Sequence, residues 1–511
     1  MKQKVFFPLL VITALLLFSC DTAYSRFPMW QGPGGGRENG MFYAIDFTRN
    51  RYYTLTATQL AENDYCTIWV ETGANVSVGD AKAVAKTYEE DIYPKMITAF
   101  GSDEFNAMEV ADSYGNGDGK LCILLLNIRD GFNNVSGAYV AGYFTHNDLQ
   151  ANNQNIFDTW YSNESDMIYL NVKPSIHKPN SPNFNSTIAH EMQHLMNYAT
   201  SLEKRSETGK APRMMDLWIN EGLSSAAEYL YAGKNLKRHV DWFNDDKTKL
   251  IAHGDNFYVW DCYSHIDNEA VLNDYATVYL FFQWLRIQAG QNLGNLNSLN
   301  IYRDIILSDH SDYNAVLDVA KAKITPPSGL TWSWDLLLRN WLAANYLNNS
   351  TGFYGYKDEE TLINVKHGYI LINSETKPLS IFTLLPGEAI YTNKTSVPPA
   401  SGKIKYASLS GSSITDSGPM PMPMPTGGTL LSYNIQTEYT AYTSDWDCYP
   451  FSITTTTETN TVTAGVPYRS TTTTHNYPIS GGEMLNRKGY SQNSLEAGHS
   501  RLITGKKFFN E

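Results

Sequence analysis

The chain has 511 residues, room for roughly two or three domains of about 100–200 residues each. Hydrophobic residues make up 42%, enough to bury real cores, and charged residues only 18%, below the usual level of about 25%. A net charge of −13, with no long basic run, argues against nucleic acid as a main partner, because phosphate binding needs clustered Lys and Arg.

In chain order, Lys2 and Lys4 give a short positive start, and Val5 to Leu17 is apolar apart from Pro8 and Thr13. Residues 1–20 read as a signal peptide, too short to span a bilayer as a mature helix. Its ending, Leu17-Phe18-Ser19-Cys20, resembles a bacterial lipobox. That resemblance implies lipidation of Cys20 and an exported, membrane-anchored protein, periplasmic or at the cell surface. Residues 21–40 carry Gln31-Gly32-Pro33-Gly34-Gly35-Gly36 and read as a flexible linker. Residues 41–78 are rich in Tyr, Thr, Val and Ile and read as strands. From Asp80 to Phe100 apolar residues recur at helical spacing, Gly101 can end the helix, and Pro94 should break or kink it.

A turn at Asn116-Gly117-Asp118-Gly119 feeds the apolar run Leu121 to Ile128, which predicts a central strand. The Asp and Asn residues around this turn faintly resemble half of a calcium loop. They lack the bidentate Glu, so a plain turn is the better reading and Ca2+ has no further support. Strands are predicted at Gly137 to Phe144 and Asp166 to Val172, and helices from Ser186, a candidate N-cap, to about Leu347. Residues 79–348 read as one unit of strands followed by helices. Residues 349–485 form a β-rich C-terminal region, read as one sandwich with a Pro/Met-rich loop at 418–425, and 486–511 a loosely ordered tail. Four cysteines follow Cys20: Cys66, Cys122, Cys262 and Cys448. No CxxC spacing occurs, which argues against a thiolate zinc site, while disulfides and buried thiols both stay open.

The chemistry concentrates in Ile188-Ala189-His190-Glu191-Met192-Gln193-His194. Histidines at i and i+4 project from one helix face, so both imidazoles can reach one metal, and Glu191 lies one step round, placed to meet a water there. Downstream stands Trp218-Ile219-Asn220-Glu221-Gly222. Catalytic zinc takes three protein ligands, and Glu221 can be the third, presented by a second helix. A buried carboxylate in so apolar a run needs a partner, and a metal is one.

H-E-x-x-H followed by W-[IL]-N-E-G resembles the gluzincin zinc metallopeptidases, which include thermolysin-like enzymes and the aminopeptidase N family. It is most similar to the hyicolysin-type secreted bacterial peptidases. The supporting segments are the Gly119 to Leu126 strand, an edge strand at Ile168-Tyr169-Leu170 and the aromatic helix Tyr275 to Leu285. The resemblance covers roughly residues 80–345. It implies an α+β, thermolysin-like two-lobed fold: a mixed β-sheet lobe, a helical lobe supplying Glu221, and between them a zinc site and a cleft for an extended protein or peptide substrate. One Zn2+ held by His190, His194 and Glu221 is implied, with Glu191 as general base. In the family a Tyr or His on a later helix stabilises the oxyanion. Tyr275 is the candidate here, with Tyr279, His253 and His265 as alternatives. Thermolysin-like enzymes place an Asp four residues after the ligand Glu, bonded to a zinc histidine. Here that position is Ser225, with Glu228 one turn on, so either can take the role. The Gly-x-Met-Glu-Asn signature of the aminopeptidases is absent, which favours an endopeptidase. A rival of another class is an adhesin or binding lipoprotein that kept the fold and lost catalysis. It would show a damaged zinc set, and all four key residues are intact. A zinc hydrolase acting on non-peptide bonds stays open as a third reading.

Overall fold

The computed structural model describes residues 40–366, except 50, 103–104, 133–137, 152–160, 174–176, 209–214 and 245–270. Beyond these it describes 386–392, 404–410, 413–418, 428–435, 437 and the strands at 453–455, 461–462, 473–475 and 500–505. The signal peptide with Cys20, residues 21–39, Cys262, Cys448, His253, His265 and most of the 418–425 loop lie outside the described residues.

The strands are β1 (Met41–Asp46), β2 (Arg51–Glu62), β3 (Cys66–Glu71), β4 (Leu121–Leu126), β5 (Ala138–Phe144), β6 (Met167–Asn171), β7 (Ala389–Thr392), β8 (Ile404–Ser410), β9 (Ser413–Gly418), β10 (Thr429–Asn434), β11 (Ile453–Thr455), β12 (Thr461–Val462), β13 (Thr473–His475) and β14 (Ser500–Gly505). The main sheet has seven strands in the order β1-β2-β3-β4-β6-β5-β14. It is mixed: β4 runs parallel to β3 and β6, and the other pairs are antiparallel.

Every residue of β4 is buried, which is why its sequence shows no polar alternation. Leu121, Ile123 and Leu125 join the core on the helix side, and Cys122, Leu124 and Leu126 join a smaller core on the other face. That second face is covered by the sheet itself, which curls. In sheet order β1 lies far from β5, yet the Ile45 N–H donates to Tyr143 Oη at 3.1 Å and the Phe47 and Tyr143 rings meet edge to face at 5.2 Å. Ile168-Tyr169-Leu170 is therefore not an edge strand. It belongs to β6, which lies between β4 and β5. Its all-buried residues fit an interior strand better than an edge.

On the helix side, α1 (Val78–Thr87) starts with a capping box between Ser77 and Asp80. It runs through a π-helical turn at Tyr88–Ile92 into α2 (Tyr93–Phe100), with Pro94 in the first turn of α2. Proline has no N–H and its ring crowds the carbonyl four residues back, so the wide turn is where the helix absorbs it. After α3 (Ala107–Tyr114) comes the long α4 (Pro182–Thr208). Its start is Ser181-Pro182 rather than Ser186: the Phe184 N–H donates to Ser181 Oγ at 3.3 Å and proline takes the first helical position, where no N–H is missed.

α4 packs against β5, β6 and α5 (Leu217–Ala232). α6 (Lys237–Asn244), α7 (Val271–Gln288), α8 (Ile301–Ile306), α9 (Tyr313–Lys323) and α10 (Trp334–Leu347) complete the helical part. A Cβ on Gly222 would enter the Phe282 ring, so the glycine beside Glu221 lets α5 press onto α7. Trp218, Phe281, Trp334 and Trp341 form an aromatic core behind it, with centroids 5.3–6.2 Å apart along the chain of contacts. β7, β10, β8 and β9 form a four-stranded sheet that leans on α10 through stacked Tyr346 and Tyr391, 4.9 Å apart, and through Tyr433 Oη donating to Asp335 at 2.7 Å. β12, β11 and β13 form a separate small sheet.

Cys66 and Cys122 lie on adjacent strands but point into opposite cores, so these two buried thiols do not form a disulfide with each other. Burial pushes the Cys66 thiol far above its usual range, which makes it inert. Among the described residues no helix is long and apolar enough to cross a membrane.

Candidate metal centre

His190 and His194 sit on the fully buried middle of α4 and Glu221 on the first turns of α5, each at most 2% exposed. The structure brings the three together: one ligand atom from each lies within 4.8 Å of the others. His190 Nε2 and His194 Nε2 lie 3.2 and 3.4 Å from the same Glu221 Oε2. Ligands bound tetrahedrally to zinc at about 2.0–2.1 Å are spaced by about 3.3–3.4 Å.

Protonation sharpens this. His190 Nδ1 lies 2.9 Å from Glu228 Oε1. A carboxylate only accepts, so Nδ1 carries the proton and Nε2 presents a lone pair to Glu221. His194 Nδ1 lies 3.0 Å from Ser224 Oγ, whose own proton goes to Gln193 Oε1 at 2.5 Å. Nδ1 of His194 is then the donor as well, and its Nε2, buried without a hydrogen-bond partner, also offers a lone pair. With both Nδ1 atoms as donors, two imidazole lone pairs and a carboxylate oxygen converge on one buried point. That donor set suits a cation of zinc's ligand preference. Burial pushes Glu221 up, but whenever His194 or His190 carries the ring charge it outweighs burial and holds the carboxyl below the usual range, while burial pushes His194 down. Carboxylate and neutral imidazole are the forms that ligate.

Behind the ligands lies a buried support. Glu228 Oε2 accepts from Ser186 Oγ at 3.1 Å and from Arg238 of α6, which also donates to Asn183 Oδ1 and to Ser186 Oγ, each at 3.3 Å. Burial lowers Arg238 to about 10, which leaves it charged at neutral pH. Of the two residues nominated for this support, Glu228 touches a histidine, and Ser225 hydrogen-bonds to neither. At about 100° per residue, Ser224 and Glu228 fall about 60° and 20° to one side of Glu221, and Ser225 about 40° to the other. α4 lies on the first side. Ser224, Ser186, Gln193 and Arg238 carry no motif that would single them out in the sequence.

Glu191 is fully buried on α4 and faces β5. A Cβ on Gly142 would stand 2.8 Å from Thr187 Cγ2, 2.9 Å from the Tyr169 carbonyl oxygen and 3.1 Å from Glu191 Cγ, so only glycine lets β5 pass this close to α4. Tyr275, on α7, is buried with its ring centroid 6.2 Å from that of His190. Tyr279 is engaged elsewhere: its hydroxyl accepts the Leu236 N–H at 2.9 Å and donates to Asn235 Oδ1 at 3.2 Å. Asp112, Asp118 and Asp166 form a second group of carboxylates within 4.8 Å of one another. Two of them accept turn N–H groups, Gly119 to Asp112 and Lys120 to Asp118, each at 2.9 Å.

The mixed sheet beside a helix-borne His-His-Glu group has the parts of a metalloprotease. No family model matches the chain. It is similar to the neutral metalloprotease ShpI of Staphylococcus hyicus, 29% identical over 307 residues, covering 59% of this chain and 61% of that protein. The chain thus matches less than two thirds of its relative's length, and the similarity supports a metalloprotease relationship.

Proposed function

We propose that the chain is a zinc metallopeptidase, an endopeptidase of the gluzincin kind with a thermolysin-like site, acting on proteins or peptides outside the cytoplasm. The observation that carries this is the convergence of three lone-pair donors, the Nε2 atoms of His190 and His194 and Oε2 of Glu221, on one buried point. Similarity to a neutral metalloprotease supports peptides as substrates.

His190, His194 and Glu221 would hold the zinc ion, which when bound would supply Lewis acidity toward a water and the scissile carbonyl. Glu191 accepts a proton from the attacking water and returns it to the leaving amine. Tyr275 donates a hydrogen bond to the carbonyl oxygen as it gains charge. Glu228 and Ser224 hold the two imidazoles in the tautomer that keeps both Nε2 lone pairs on the ligating side. The lipobox-like ending at Cys20 supports export and a lipid anchor. Replacing Cys20 with Ala should then release the protein from the membrane fraction, and absence of palmitate labelling on the wild type would refute the anchor.

The test of the main reading is metal analysis of the purified chain together with casein digestion, with and without a zinc chelator. The reading expects one zinc per chain, digestion abolished by chelation and restored by added zinc. Chelator-insensitive digestion, or metal-replete protein that digests neither casein nor a peptide panel, would overturn it.

A further inference from the structure

The outer edge of β5 is already occupied by the chain's own C-terminal segment. β5 pairs with β6 on one side, at Gly142–Leu170 and Tyr143–Tyr169. On its other side it pairs antiparallel with β14 over six positions, from Ser500 opposite Phe144 to Gly505 opposite Ala138. The position of this edge matters more than its length. Gly142 is where β5 comes closest to Thr187 and Glu191, and Leu502 stands opposite Gly142. β14 also contacts α4 and α7, the helices that carry His190, Glu191, His194 and Tyr275. The segment therefore runs through the space bounded by β5, α4 and α7. A peptide reaching Glu191 by adding a strand to the sheet would use the same space and the same backbone groups. The register slips between Leu502 and Ile503, leaving Ala141 of β5 without a counterpart just beside the Glu191 contact.

We propose that Ser500–Gly505 is a built-in occupant of the peptide-binding edge of β5, and that it holds the site in a self-inhibited state until a substrate or removal of the tail displaces it. The inhibitory part rests on the peptidase reading above; the docking of the tail on β5 does not. A tethered segment has an effective concentration on the order of 1 mM, so a tail binding in trans with a Kd of about 0.1 mM would mask roughly nine sites in ten.

The test uses the full chain carrying Leu502→Pro and Ile503→Pro, which removes two adjacent N–H groups, so that a ladder donor is lost whichever of them faces β5, and restricts the backbone. Two quantities are measured: hydrogen exchange of the β5 amides, 138–144, and cleavage of a fluorogenic peptide. The expected results are faster exchange in β5 with unchanged protection in α4 and α5, and about a tenfold rise in kcat/KM, mainly through KM. Adding a synthetic peptide of residues 498–507 should reverse both. If protection is lost throughout the fold, Leu502→Pro alone takes the place of the double variant and is read the same way. Unchanged exchange in β5 would overturn the docking. Faster exchange with an unchanged or lower rate would overturn the inhibition. If neither the wild type nor the variant cleaves any peptide, the peptidase reading fails, and the exchange data still decide the docking.

Discussion

Replacing Glu228 with Ala removes the acceptor for His190 Nδ1, 2.9 Å away, and the counter-charge of Arg238, both in a buried setting. Two separable losses follow. Arg238, whose side chain is 15% exposed, is left without its counter-charge, and breaking a largely buried pair in this way costs up to about 3–5 kcal/mol of folding stability. His190 also loses the partner that fixes its tautomer and ring orientation, which lowers metal affinity about 10–100-fold, or about 1.4–2.7 kcal/mol. Urea unfolding of the zinc-free protein reads the first loss, and zinc competition against a chromophoric chelator reads the second. Glu228→Gln keeps an acceptor for His190 and should lose affinity less than the Ala variant. A double change, Glu228→Leu with Arg238→Met, removes both charges and should recover much of the stability while leaving affinity low. If Glu228→Ala binds zinc like the wild type, the support assigned to Glu228 is wrong. If the double variant recovers affinity along with stability, Glu228 acts through folding alone.

Gly142→Ala forces a methyl against the Tyr169 carbonyl, Thr187 and Glu191, so it should cost about 1–3 kcal/mol in a melt and shift β5 from α4. Displacement of about 1 Å near the base lowers turnover by about 10²-fold; full activity in the Gly142→Ala chain would contradict the close approach. Asp148 offers a pH test. Burial raises its carboxyl to about 7, although Asn163 N and Tyr169 Oη donate to it at 2.7 and 2.6 Å. The folded state then holds this proton more tightly than the unfolded chain does, so its stabilising contribution is full below about pH 4 and lost as pH rises to about 7. Between about pH 5 and 8 it should account for about 2–3 kcal/mol of decline in urea unfolding. Asp148→Asn should remove that share of the slope, and identical slopes in the two proteins would refute the assignment.

Much of this was legible because local chemistry and spacing dictate it. The β4 run had to be central because six consecutive apolar residues need cover on both faces. His190 and His194 share a face by helical period alone, and the apolar setting of Glu221 demanded a partner. The rest depends on how elements meet. The place of β6 inside the sheet, rather than at its edge, follows from β5 adding beyond it, and no residue of Ile168-Tyr169-Leu170 announces that. Ser224 and Ser225 are chemically identical, and only the side on which α4 packs selects the first. The start of α4 was readable in Ser181-Pro182, but a serine nearer the motif was the tempting cap. The pairing of β14 with β5 joins segments from opposite parts of the chain, where periodicity carries no information.

The central claim, that Glu191 moves the proton while His190, His194 and Glu221 hold the metal, is tested most directly by Glu191→Gln with zinc quantified in the same sample. The substitution keeps size and removes the base. The account predicts zinc content and melting close to wild type, with peptide turnover lowered by at least the roughly 10²–10⁴-fold that general acid–base catalysis supplies. A Gln variant that keeps its zinc and cleaves near the wild-type rate would contradict it.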